Sequence, residues 1–99
     1  MGRVFYTEYV RHAMRFYSRY LTITSFKSDA DRENWRACHN VVSTYPLRDR
    51  DIFIYVYGSF DTIADNVYVI AKKYNLHQNL IWEMMDEFEL KVAKERGLC

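Results

Sequence analysis

A chain of 99 residues with a formal net charge of +1 is one domain long, and 49% hydrophobic residues are enough to build its core without staples. A nucleic-acid coat that is basic throughout is excluded, and so is a span of the ~20 apolar residues needed to cross a bilayer. Cys38 and the terminal Cys99 make no disulfide framework and suit a reducing compartment, so the expectation is a compact cytoplasmic domain with no membrane partner.

The opening "MGRVFYTEY" lacks the continuous apolar core of a signal peptide, and Tyr6 stands where a myristoylation signal wants Ser or Thr. Charge is divided unevenly: residues 1–50 hold nine basic and five acidic side chains, residues 51–99 five and eight. An electrostatically two-sided molecule docks by a chosen face. With three glycines and one proline, long helices are the default.

The first helix is expected from about Val4 to Leu21. Tyr6, Tyr9, Val10, Ala13, Met14, Tyr17, Tyr20 and Leu21 step by three and four into one apolar stripe. Arg11, Arg15 and Arg19 follow a four-residue step on another face. They read either as a solvated face or as a row of phosphate contacts.

"TITSFKSDADRE" breaks the period and reads as a loop. Ser28 or Asp29 then caps a second helix that runs to about Thr44, with Trp35, Cys38, Val42 and Tyr45 inward. Pro46 stops that helix or starts the next. "IFIYVY" has strand propensity, but no second convincing strand exists to pair with it. "LRDRDIFIYVYG" therefore reads as a short buried helix capped by Gly58.

A fourth helix spans about Asp61 to Tyr74, with Ile63, Val67, Ile70, Ala71 and Tyr74 in register and Lys72 and Lys73 at its negative end. Asn75 is the natural left-handed residue in the break "YNLHQN". The last helix runs from about Gln78 to Arg96, with Ile81, Met84, Met85, Phe88 and Val92 inward. The fold class expected is all-α, a compact five-helix domain of residues 1–99. Its parts are an N-terminal helical hairpin over 1–45 and a helix-turn-helix unit over 46–99.

Two helices joined by about four residues have the outline of a helix-turn-helix. Ala71 allows close crossing and Leu76 plugs the turn. From Thr44 onward the sequence resembles region four of bacterial primary-type sigma factors, the promoter-reading module. "TYPLRDRDIFIYVYG" resembles that region's opening helix, and "IAKKYNLHQNLIWEMMDEFELKVAKERGL" its helix-turn-helix and terminal helix. The likeness covers about half the chain and rests mostly on core and cap positions such as Pro46, Tyr57, Gly58, Ala71, Leu76, Ile81 and Phe88. The preceding half, with Trp35 in a helix, resembles small sigma-like proteins of phages and mobile elements of Gram-positive bacteria.

The resemblance implies that the start of the last helix meets DNA. The matching positions here are Gln78, Asn79, Trp82, Glu83, Asp86 and Glu87, where the family presents Arg, Gln and Lys. Gln78 and Asn79 suit adenine and a glutamate suits cytosine, but carboxylates repel phosphates. Arg11, Arg15, Arg19, Lys72 and Lys73 are the expected phosphate anchors, with Lys91, Lys94 and Arg96 as further cations. Trp82 reads either as partly packed against a neighbouring helix or as an anchor for a protein partner.

No enzyme motif is present: no Gly-rich phosphate loop, no Cys-x-x-Cys, no His-Glu-x-x-His. Cys38 and His39 are adjacent on a helix and point about 100° apart, which makes them a poor nucleophile and base. His12, His39 and His77 are scattered, and Glu83, Asp86 and Glu87 are explained as a solvated face, so no metal or cofactor is expected. Two functions of different class follow. The first is a sigma-like transcription regulator of a phage or mobile element, binding duplex DNA and/or RNA polymerase. The second is a protein-binding inhibitor or adaptor, of the anti-CRISPR or host-takeover kind, whose acidic aromatic face takes a basic host protein. A homodimer is a third possibility.

Overall fold

The apolar stripe of the first segment folds as α1, Thr7–Arg19, and buries Val10, Ala13, Met14 and Tyr17. The computed structural model describes residues 5–99, so the expected start at Val4 lies outside the described residues. The stripe is narrower than expected, since Tyr9, Tyr20 and Leu21 are exposed. Tyr9 sits at its edge and its hydroxyl donates to Asn34 Oδ1 (3.1 Å). Tyr20 has already left the helical region (φ −132°), which ends the helix before Leu21.

Helix α2, Asp29–Val42, is capped by Ser28, whose Oγ accepts from the Asp31 amide at 3.2 Å. It stops two residues short of Thr44, whose hydroxyl turns back to donate to the Val41 carbonyl (2.7 Å). Pro46 then takes the position before α3, Leu47–Gly58, where its missing N–H costs nothing.

Segment "IFIYVY" is helical. Ile52, Phe53, Val56 and Tyr57 are all buried, an i, i+1, i+4, i+5 spacing that one helix face supplies and a strand does not. Gly58 differs from expectation. It is the last helical residue and no left-handed cap; the positive φ among the described glycines falls at Gly97. Its role is close approach: a Cβ there would lie 2.7 Å from Ser18 Cβ, so α1 and α3 cross on the missing side chain.

Thr62 caps α4, Ile63–Tyr74, by accepting from the Asp65 amide at 3.2 Å. Asn75 adopts the left-handed conformation (φ 54°, ψ 46°), as its place in the break suggested. Its N–H donates to the Lys72 carbonyl, and the Leu76 N–H donates to the Ala71 carbonyl at 2.9 Å, closing the helix end with two bonds. Helix α5, Gln78–Glu95, follows after three residues.

Among the described residues there are five helices and no strand. Both halves share one core, in which Met14, Tyr17 and Cys38 join Phe53, Ile70 and Phe88. Phe53 stacks on Phe88 at 4.4 Å, and Tyr45 meets both rings edge-on. A Cα radius of gyration of 13.0 Å is that of a single compact domain of this length. No helix among the described residues is long and apolar enough to cross a membrane.

Candidate functional site

The turn between α4 and α5 opens a groove of about 530 Å³. Tyr68 and Lys72 line it from α4, Asn75, Leu76 and His77 from the turn, and Gln78 and Asn79 from the first turn of α5. The left-handed Asn75 reverses the chain, and Leu76 packs against the core beneath, so the turn is held from inside. His77 Nδ1 accepts from the Asn79 amide at 3.4 Å, so the ring caps the start of α5. The first turn of α5 holds no acidic residue.

Structure places the predicted reading residues unequally. Gln78, Asn79, Glu83, Asp86 and Glu87 are exposed, whereas Trp82 is half-buried against the core with the Arg11 guanidinium 6.0 Å from its ring centre. Glu87 Oε1 accepts from Tyr45 Oη (3.0 Å) and Lys91 Nζ (3.2 Å). Those two donors, Lys91 first, hold its carboxyl below the usual range. Met84, expected inward, is half-buried. Glu89 and Ala93 fill the stripe instead, because Glu89 follows Met85 by four residues.

Glu89 is 2% exposed and belongs to no surface. Its Oε2 accepts from Arg11 Nε (2.9 Å) and from Tyr57 Oη (2.7 Å). Burial, and then the neighbouring carboxylate, push the Tyr57 phenol well above its ordinary value. The fourth acid of "WEMMDEFE" is therefore part of the core, and three remain outside.

Of the five expected phosphate anchors, Lys72 lines the groove and Arg15 stands exposed with no ion pair among the described residues. Arg11 is not available, because its side chain is 16% exposed and committed to Glu89. Arg19 donates from Nε to the Gly58 carbonyl (2.9 Å) and lies 4.2 Å over the Phe60 ring. Lys73 pairs with Asp51 Oδ2 at 3.3 Å, which also accepts from Tyr74 Oη. The structure thus brings Lys72, Gln78 and Asn79 together and leaves the arginine row outside their groove.

Sequence reasoning passed over Tyr68, His77 as a cap, Asp51 and Glu89. A signal for Glu89 was present, since it falls on the apolar stripe between Met85 and Val92. The groove-lining Tyr68 offered none, being one of nine tyrosines.

Cys38 is fully buried and burial pushes its thiol up to about 12, while His39 is exposed with Nδ1 bonded to Tyr17 Oη at 3.0 Å. Those two side chains form no nucleophile and base pair. Among the described residues no group of three or more His, Cys, Asp or Glu comes together to hold a metal. Comparisons of the chain with protein-family models, curated proteins and solved structures give no match.

Proposed function

We propose that the chain is a small sigma-like transcription regulator that binds duplex DNA through a helix-turn-helix formed by α4, the Asn75–Leu76–His77 turn and α5. One observation carries this reading: Gln78 and Asn79, at an acid-free helix start, share an open groove with the exposed Lys72. Their side-chain amides suit the N6 and N7 edge of adenine, and the Lys72 ammonium suits a backbone phosphate.

Carboxylates of α5 begin five residues later, at Glu83, which is about 7.5 Å farther along the axis. That is just under the Debye length of about 8 Å at physiological salt, so salt weakens their repulsion of a phosphate at the helix tip without removing it. An acidic helix of this kind reads with its end rather than its length.

A specific observation favours a second reading. Glu83 and Asp86 carry no ion pair among the described residues, and the half-buried Trp82 lies beside them on α5. An acidic face with an aromatic flank suits a basic protein partner, which would make the chain an inhibitor or adaptor.

Salt-titrated binding to random duplex DNA separates the two. A regulator binds it with a Kd of about 10⁻⁴ to 10⁻⁶ M and loses affinity steeply as salt rises. An adaptor shows no duplex binding at physiological salt, and reversing Glu83, Asp86 and Glu87 to lysine abolishes its protein complex.

A further inference from the structure

We propose that the chain self-associates head to tail. In that contact the α1 face bearing Arg15, Arg19 and the neighbouring Phe60 docks on the α5 face bearing Glu83 and Glu87 of a second copy. This inference is independent of DNA binding and uses surfaces outside the α4–α5 groove.

Phe60 is 89% exposed, on a loop braced by side-chain hydrogen bonds. Asn66, buried beneath, donates from Nδ2 to the Val56 carbonyl (2.9 Å) and reaches those of Asp61 (3.3 Å) and Ser59 (3.4 Å). Its Oδ1 is buried without a hydrogen-bond partner, so the loop is held at a cost to the fold. Above, Arg19 clamps the Gly58 carbonyl and covers one face of the ring. An exposed phenyl on a loop braced in this way has less conformational entropy to lose on docking, which is what a contact anchor requires.

Charge identifies the occupant. Arg15 and Arg19 sit one helical turn apart, and neither pairs with a carboxylate among the described residues. Glu83 and Glu87 repeat the same four-residue step on α5; Glu83 is equally unpaired, while Glu87 shares one carboxylate oxygen with Lys91 and Tyr45 and keeps the other for a partner. Leu80 and Leu90, 39% and 37% exposed, bracket that acidic pair with apolar surface for Phe60. Asp61 and Asp65 follow Phe60 toward α4, so the carboxylate row of the second copy lies on the α1 side of the ring. Within one chain Glu83 is turned about 120° from Glu89, the residue through which α5 grips α1, so the two rows do not pair internally. Patch and counter-patch being different surfaces, the contact is heterologous and builds open chains or rings rather than a closed dimer.

Sedimentation velocity on the full chain without DNA tests this at about 0.1 M and about 1 M salt, where the Debye length falls from about 10 Å to about 3 Å. Mass rising with concentration at the lower salt and collapsing to monomer at the higher is expected. Arg15→Glu/Arg19→Glu and Glu83→Arg/Glu87→Arg should each be monomeric alone and assemble when mixed, since mixing restores both complementary faces. Phe60→Ser should weaken assembly at least about tenfold with the helical circular-dichroism signal retained. A wild-type chain monomeric at every concentration, assembly indifferent to salt, or a mixture that stays monomeric would overturn the proposal. A monomeric chain whose Arg15→Glu/Arg19→Glu variant loses duplex binding would assign that face to DNA instead. Loss of duplex binding with assembly intact would sink the regulator reading alone.

Discussion

Arg11 and Glu89, 78 positions apart in the chain, form a 2.9 Å ion pair inside the fold, with Tyr57 donating to the same carboxylate oxygen. The pair joins α1 to α5 and, through Tyr57, to α3. A carboxylate so deeply buried persists only because a charge and a hydroxyl satisfy it. Removing one partner therefore costs more than the pair is worth.

Arg11→Met should destabilise the chain by about 3–5 kcal/mol, because Glu89 is left charged and uncompensated. Arg11→Met/Glu89→Leu should recover much of that loss, since an apolar pair of similar volume replaces the ions. Urea unfolding of wild type, single and double variants measures both. A single variant within about 1 kcal/mol of wild type would show the pair to be solvated.

Gly58→Ala should lower the melting temperature even though alanine is the better helix former by about 1 kcal/mol. The added Cβ meets Ser18 Cβ at 2.7 Å, and overpacking of this kind costs about 1–3 kcal/mol. Ser18→Gly in the same chain should rescue it, giving a coupling of about 1 kcal/mol in a double-mutant cycle. Additive effects of the two changes would mean that α1 and α3 do not cross at this point.

Acid sensitivity should reside partly in Asp51. The Tyr74 hydroxyl first, and Lys73 after it, hold the Asp51 carboxyl below its ordinary value of 3.8. A carboxyl depressed in the folded state stabilises it above the unfolded value, and that contribution disappears as pH falls through the lower, folded one. Wild type should exceed Asp51→Asn in stability at neutral pH, and the two should converge below 3.8. The difference should be modest and salt-sensitive because the side chain is 46% exposed. A gap that persists unchanged into acid would contradict the linkage.

Local rules made much of this fold legible. Asn75 was visible because few residues other than glycine accept a left-handed backbone, and "IFIYVY" resolved to a helix for want of a partner strand. Gly58 carries a misleading local signal. As a helix-ending glycine it suggested a cap, whereas its use depends on Ser18, forty residues earlier, which no local pattern reveals. Arg11 looked like its neighbours Arg15 and Arg19 because a four-residue step does not say which arginine faces a buried acid. At the groove, Gln78 and Asn79 are legible only as positions that the sigma-factor resemblance implies, and Lys72 as one of the cations expected to offset the acids. That the acids lie behind the tip rather than on it required the position of α5.

Duplex-binding anisotropy on wild type, Lys72→Glu and Glu83→Lys tests the central claim, that the start of α5 and Lys72 form a DNA-binding end. Lys72→Glu should weaken binding and reduce the salt slope by about one, while Glu83→Lys should bind equally or more tightly. No duplex binding by wild type even at low salt, or binding that Lys72→Glu leaves unchanged, would contradict it.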